Sequence, residues 1–244
     1  EAAADLGDLA RQRWQRALTG EEAIDLDIEV PQTDSNESWD FQNASMGIVR
    51  TYPAYREHVE IRETEAAYLD MIRSARELIY IENQYFTYRP VMEAIQERLR
   101  DPNGPTIIAV ISAADEGWLE KNTMGLLADY WAAKLSEADP GGRFGVFHPI
   151  VPGIGAEEYT THIKLIIIDN KAILVGSANL NGRSMGLDTE CGLVMESGDR
   201  EDVQSCIDRV RARLITEHLG IELQDPSTVP TGRELLKLIR AHEG

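Results

Sequence analysis

Apolar residues along the chain recur in two kinds of spacing. Helical spacing predicts helices over residues 1–18, 64–77, 90–100, 117–137, 200–219 and 231–241. Short apolar runs of strand length cover residues 46–53, 78–86, 105–113, 143–151, 162–169 and 189–197, and a turn from Asp169 to Lys171 leads from the fifth run into a further strand. Because strands and helices alternate from residue 46 to 151, the pattern favours an α/β fold with a layered mixed β-sheet flanked by helices.

The segment from residue 19 to 45 lacks either periodicity and is rich in Asp, Glu, Ser and Asn. This composition predicts a long loop, and loops of this length in compact domains are often functional. The chain opens at Glu1, without methionine, in what the apolar spacing predicts to be the middle of a helix. We therefore divide the chain into a linking helix and loop, 1–45, that follows a missing upstream part, and a main domain, 46–244.

Charge limits the classes of partner. Asp and Glu number 42 against 24 Lys and Arg, a formal net charge of −18. Such a field repels phosphate backbones, so nucleic acid is an unlikely partner and any phosphate chemistry must use a local site. No apolar run approaches the roughly 18 residues of a membrane span, which predicts a soluble chain of unknown location, whether cytoplasmic or peripheral to a membrane.

The stretch HIKLIIID, residues 162–169, combines a buried-strand pattern with polar residues at both ends. Alternation along a strand places His162 and Lys164 on one face with two isoleucines, and Asp169 on the other. A lysine among isoleucines is costly to bury without a counter-charge, whereas a bound anion would supply one. Asp169 is better suited to accept backbone N–H bonds and fix the loop.

A hairpin would bring further polar groups to this face. If two residues, Asn170–Lys171, or four residues close the turn, His162 lies opposite Asn179 and Lys164 lies opposite Ser177. Directly opposed residues point to the same side of a sheet. The hairpin therefore predicts an imidazole, an ammonium, a hydroxyl and an amide around a common phosphate.

These residues resemble a known signature. The spacing H162-x-K164-x4-D169, followed by GSANLNGRS at 176–184, is similar to the HKD motif of the phospholipase D superfamily. The segments IYIENQYF (79–86), MGIVRTYP (46–53) and RVRARLITEHLG (209–220) resemble stretches around the second motif of phospholipase D enzymes. The resemblance covers residues 46–220 and implies one lobe of the pseudo-twofold phospholipase D fold.

Members of the superfamily use two HKD motifs that face each other, and this chain has one. The resemblance therefore implies a carboxyl-terminal half whose partner, an upstream half with the first motif, lies in the same precursor or in a separate chain. It implies hydrolysis or transphosphatidylation of glycerophospholipids at a membrane surface through a phosphohistidine. Two alternatives stay open: a single-motif homodimeric phosphodiesterase or nuclease, and a catalytically silent binding half.

The resemblance also assigns roles to residues of this chain. His162 would protonate the leaving alcohol and then activate water, while Lys164 and Asn179 would bind the nonbridging phosphate oxygens, with Ser177 as a weaker candidate. Glu190 would orient an imidazole N–H of an active-site histidine. The superfamily's reaction needs no cofactor and no metal.

Two further residues complete the candidate set. Asp169 belongs to the motif and is counted with the catalytic residues, although the strand pattern gives it the loop-fixing role described above. Gln84 lies at the carboxyl end of the predicted strand 78–86, where open α/β sheets place ligands. It is equally well interpreted as a substrate-binding residue or as part of a capped strand end.

Overall fold

The computed structural model of the chain describes residues 2–17, 43–112, 121–151, 153–155, 159–222 and 225–242. The helices are α1 (Ala2–Ala17), α2 (Glu63–Ser74), α3 (Arg89–Arg100), α4 (Leu126–Glu137), α5 (Gly182–Gly186), α6 (Glu201–Leu219) and α7 (Gly232–Arg240). The strands are β1 (Ser45–Tyr52), β2 (Ile61–Arg62), β3 (Leu78–Asn83), β4 (Thr106–Ile111), β5 (Phe144–Phe147), β6 (Lys164–Ile168), β7 (Ala172–Gly176) and β8 (Glu190–Glu196). A π-helical turn, Lys121–Gly125, precedes α4, and a 3-10 turn, Pro226–Thr228, precedes α7.

The strands form one mixed sheet in the order β2-β1-β8-β7-β6-β3-β4-β5. Strands β3, β4 and β5 run parallel, and the remaining neighbours pair antiparallel. The predicted α/β fold with a layered mixed sheet is therefore confirmed. Every residue of β3, β4 and β6 is buried, as expected for central strands covered on both faces.

Each face of the sheet carries its own apolar core. On the first face, Ile166 and Ile168 of β6 pack with residues of α2, α3 and α4 such as Ile72. On the second face, Leu165 and Ile167 pack with residues of α6 and α7. The alternation predicted from the sequence is thus confirmed within β6, and it places Lys164 on the first face.

Several predicted boundaries differ from the structure. Strand β3 ends at Asn83 instead of residue 86, β5 ends at Phe147 instead of residue 151, and β6 begins at Lys164, two residues after His162. Strand β2 and helix α5 were not predicted. Most of the predicted loop 19–45 and residues 117–120 of a predicted helix lie outside the described residues.

The predicted hairpin register is wrong by one place. The turn does lie at Asp169 to Lys171, but three residues close it, because β6 pairs Ile168 with Ala172 and Leu165 with Val175. Continued by one pair, this register sets Lys164 opposite Gly176 and not opposite Ser177. The physical reason is Asp169, which adopts a left-handed φ of 53° and belongs to the turn.

Charged groups also meet on the second face of the sheet. Glu82 of β3 is fully buried, accepts a 2.5 Å hydrogen bond from the Tyr80 hydroxyl and lies 3.1 Å from His218 Nε2 near the end of α6. Burial lowers the pKa of His218, but the hydrogen bond to Glu82 and the negative charges of Glu82 and Glu217 raise it by more. The pKa of His218 is therefore above 6.5. The contact ties the end of α6 to the central strand.

The raised pKa makes a prediction about stability. A group whose pKa is higher in the folded than in the unfolded state stabilises the fold below its unfolded pKa, and this contribution is lost as the pH rises through the folded value. We expect the free energy of unfolding of the wild type to be higher than that of His218→Gln. The difference should be largest below pH 6.5 and should shrink at higher pH. Urea unfolding across this range measures it, and a difference that stays constant with pH would contradict the role of the ion pair.

Candidate active site

Lys164 carries a cationic side chain on the first face of the sheet. The residue is only 6% exposed, and its Nζ donates a 2.9 Å hydrogen bond to the His162 carbonyl oxygen. Burial lowers the pKa of Lys164, while the charge of Glu190 acts in the opposite direction. In the described residues, no carboxylate forms an ion pair with this ammonium group.

The imidazole of His162 is exposed just outside the sheet. Its residue precedes β6 by two positions, and the hydrogen bond from Lys164 to its carbonyl holds the two residues together. A catalytic acid and base must reach solvent and substrate, and exposure of His162 allows this.

Ser177 and Glu190 lie together at the end of β7. The Ser177 hydroxyl donates to a carboxylate oxygen of Glu190, and it accepts a 3.1 Å hydrogen bond from the Cys191 backbone N–H. Strands β7 and β8 approach closely here, since a Cβ on Gly176 would lie 2.8 Å from the Cys191 carbonyl oxygen. Glycine at 176 therefore permits the approach that brings Ser177 to Glu190. Among the described residues, no hydrogen bond or ion pair joins Glu190 to His162.

Asn179 reaches the site by a route that the sequence did not indicate. Strand pairing sets Asn83, the last residue of β3, beside Lys164 on the same face. The Asn83 carboxamide accepts a 3.1 Å bond from the Leu180 N–H and donates a 3.4 Å bond to the Ala178 carbonyl. Asn83 thus connects β3, the neighbour of the strand that carries Lys164, to both peptide groups that flank Asn179.

The Asn179 side chain has an unused bonding position. Its Oδ1 is buried and has no hydrogen-bond partner in the described part of the chain. Buried polar atoms are rarely left unpaired, and such an atom calls for a ligand or another partner. An amide turned by half a rotation would present the Nδ2 donor at the same place, so the group can serve either an acceptor or a donor.

Asp169 stands apart from these groups, at the far end of β6. Its carboxylate accepts backbone N–H bonds from Arg76, Glu77 and Leu78, at 3.0, 2.9 and 2.8 Å. The expected loop-fixing role is therefore confirmed, and the structure does not bring this residue together with His162 and Lys164.

Gln84 is half-buried and follows the last residue of β3. Its neighbour Asn83, which the sequence pattern did not single out, makes the contacts to the 178–180 segment. Both belong to the polar end of the IYIENQYF run, so the available signal was a change from apolar to polar residues at a strand end, a feature that does not distinguish one amide from the next.

A cavity of about 230 Å³ opens beside the Ser177–Glu190 pair. Its wall also includes Arg50, whose guanidinium is held by two hydrogen bonds to Glu63, and the fully buried Thr51. The candidate site therefore borders a space lined by hydroxyl, cationic and acidic groups.

The described residues contain neither a metal-binding cluster nor a membrane-spanning helix. Within the ranges that the structure describes, no group of three or more His, Cys, Asp or Glu side chains could hold a metal ion. No helix in those ranges is both long and apolar enough to cross a membrane.

Comparison with known proteins identifies relatives of the chain. Residues 68–210 match the family described as "Cardiolipin synthase, PLD-like domain". The chain is 26% identical to "Phospholipase D" of Phytophthora infestans, with 72% of this chain and 12% of that protein covered. It is 25% identical to "Phospholipase D delta" of Arabidopsis thaliana, with 86% and 33% covered. The chain thus spans a third or less of the length of these relatives.

A solved structure shares the fold. The phosphatidylserine synthase of Haemophilus influenzae Rd KW20 superposes with a TM-score of 0.55 at 18% identity, covering 97% of this chain and 52% of that one. At this identity the likeness concerns the fold alone. It agrees with the mixed sheet flanked by helices described above.

The electrostatic link between Lys164 and Glu190 predicts a measurable shift. Because the charge of Glu190 raises the pKa of Lys164, Glu190→Gln should lower that pKa. Titration of the lysine Cε resonance by NMR measures the change. Glu196→Gln, at the other end of the same strand, is the matched control and should leave the resonance unchanged. An unaltered Lys164 pKa in the Glu190 variant would show that the two groups do not interact.

The Asp169 contacts predict a cost in stability. Asp169→Ala removes the acceptor for three backbone N–H groups and also places alanine at a left-handed φ. We expect a loss of about 2 kcal/mol in the free energy of unfolding, the scale of hydrogen bonds to a charged group. Asp169→Asn retains one oxygen and tolerates this φ, so it should lose less. Chemical denaturation compares the three proteins, and equal stability of wild type and the alanine variant would refute the role.

Proposed function

Because the chain belongs to the phospholipase D superfamily, we propose that it cleaves the phosphodiester of a glycerophospholipid as one of two halves that each carry an HKD motif. The products are phosphatidate and an alcohol when water is the acceptor, or a new phosphodiester when an alcohol is the acceptor. The described site supplies the residues of one half, and the other half supplies a second histidine.

The reaction proceeds in two displacements. The histidine of the other half attacks phosphorus, and the bond from phosphorus to the leaving alkoxide breaks as His162 gives that oxygen a proton. His162 then removes a proton from water or an acceptor alcohol. The oxygen of that molecule attacks phosphorus, and the bond between phosphorus and the histidine of the other half breaks. Each displacement leaves His162 in the protonation state that the next one needs.

Lys164 and Asn179 bind the phosphate through both steps. An ammonium and an amide aimed at nonbridging oxygens stabilise the charge that gathers on them in the five-coordinate transition state. Ser177 donates to Glu190, so its hydroxyl is engaged and acts on the phosphate only indirectly. Glu190 raises the pKa of Lys164 and so favours its charged form; its proposed partner is an imidazole of the facing half.

One observation carries this proposal: Asn83 pairs with Lys164, which is only 6% exposed, and also binds the peptide groups around Asn179, whose buried Oδ1 has no hydrogen-bond partner among the described residues. Leaving both groups in a water-poor place without an anionic ligand is costly. Phosphate oxygens accept from the Lys164 ammonium, and they accept from the Asn179 amide in the orientation that presents its Nδ2 donor. The net charge of −18 repels phosphate, so phosphate binding depends on local donors such as Lys164 and Asn179.

The choice of a lipid over a nucleic acid rests on two supports. The relatives reported above are described as phospholipase D enzymes. The excess of acidic residues also opposes a polyanion far more than it opposes a single phosphodiester in a lipid headgroup.

Replacement of His162 tests the proposed chemistry. We expect His162→Ala to lower phospholipid turnover by at least roughly a thousandfold in the full-length protein, as loss of an essential acid and base does. The exposed His242, outside the site, provides the matched control, and His242→Ala should keep wild-type turnover. Hydrolysis that persists in the His162 variant, with its melting temperature unchanged, would remove the role of this imidazole.

Substrate class is decided by a parallel assay. Vesicles of phosphatidylcholine, vesicles of cardiolipin and single-stranded DNA are offered to the full-length protein at equal phosphodiester concentration. We expect release of phosphatidate or an alcohol from one of the lipids. Cleavage of DNA alone would contradict the lipid proposal and favour a nuclease, while cleavage of none of them would favour a silent binding half.

A further inference from the structure

Asn83 binds a segment of the candidate site that lies almost a hundred residues later in the chain. It is fully buried, and it ends the central strand β3. Pairing of β3 with β6 sets it beside Lys164. Its side chain leaves the strand towards the segment that follows β7, where Asn179 lies.

The bonds of this carboxamide hold the backbone on both sides of Asn179. The oxygen accepts from the Leu180 N–H, and the nitrogen donates to the Ala178 carbonyl. The same oxygen also accepts a 3.1 Å bond from the Tyr85 N–H, which fixes the orientation of the amide. A side chain that forms hydrogen bonds to the peptide groups before and after a residue restricts both backbone torsions of that residue.

The next peptide group is held by a separate set of bonds. The Leu180 carbonyl accepts from the backbone N–H groups of Thr87 and Tyr88 at 3.0 and 2.9 Å, and from the Thr87 hydroxyl at 3.2 Å. A bridge between Phe86 and Leu180 continues the contact. These bonds anchor the segment as a whole, whereas the Asn83 side chain binds both peptide groups that flank Asn179, the second of which also accepts a 2.8 Å bond from the Asn181 N–H.

We infer that Asn83 is a positioning residue, which sets the Asn179 amide at the correct place beside Lys164 for both to contact one phosphate. This inference rests on the proposed function. The corrected hairpin register makes it necessary, because Asn179 lies beyond the last β6–β7 pair and strand pairing does not place it. The carboxamide of Asn83 carries both the acceptor and the donor that the two flanking peptide groups require.

The test uses inorganic phosphate as the probe and hydrogen exchange as an independent readout. We expect Asn83→Ala to weaken phosphate binding roughly tenfold, on the scale of one hydrogen bond to a charged group. The amide proton of Leu180 should exchange at least about tenfold faster, because its acceptor is gone. The amide proton of Ile107 should exchange as in wild type. It donates to the Arg143 carbonyl near the start of β4, at the opposite end of the sheet from Asn83.

Thr87→Val is the matched control. It removes one of three bonds to the Leu180 carbonyl and leaves the bonds of Asn83 in place. We expect a small loss of stability without a loss of phosphate affinity or of Leu180 protection. Should Asn83→Ala fail to fold, Asn83→Ser replaces it, since a hydroxyl is too short to bridge both peptide groups.

The outcomes separate the inference from the function on which it rests. Wild-type phosphate affinity in the folded Asn83 variant, or equal weakening in Asn83→Ala and Thr87→Val, would overturn the positioning role. If wild type itself binds no phosphate, the proposed anion site fails. In that case the Leu180 exchange rate still decides whether Asn83 holds the backbone around Asn179, and unchanged exchange would overturn that step as well.

Discussion

Lys164 carries a charge on a central strand of the sheet, and only 6% of the residue is exposed. Removing a charge from water is among the largest penalties that a fold can carry, and it is offset only by hydrogen bonds and opposite charge. The bond to the His162 carbonyl and the charge of Glu190 offset part of it. The rest of the site follows from this demand for an anion beside the ammonium group.

Two separate devices keep the site in register with Lys164. At one end of β6, the Asp169 carboxylate binds three backbone N–H groups that lead into β3 and so fixes how the turn closes. At the other end, the side chain of Asn83 in β3 forms hydrogen bonds to the segment after β7 and so fixes that segment relative to β3. A central strand that is buried on both faces cannot shift by one residue without moving each side chain from one core to the other, so β3 has a fixed position relative to its neighbours.

The sequence predicted the α/β layering and the faces of β6, because periodicity reports burial directly. It predicted the role of Asp169 from its place at a turn, but it gave the wrong hairpin register, since the partners of Asp169 lie at residues 76–78, more than ninety positions earlier. Asn83 was missed for the same reason. Its partners Ala178 and Leu180 are distant in sequence, and nothing in the local pattern separates it from Gln84.

Whether Lys164 and Asn179 contact one and the same phosphate is measured by a double-mutant cycle. Calorimetric titration of inorganic phosphate gives its affinity for wild type, Lys164→Met, Asn179→Ala and the double variant. If both side chains bind a shared anion, the double variant loses less binding free energy than the two single losses combined, with a coupling of at least about 0.5 kcal/mol. Fully additive losses would show that the two groups act independently and would contradict a common phosphate site.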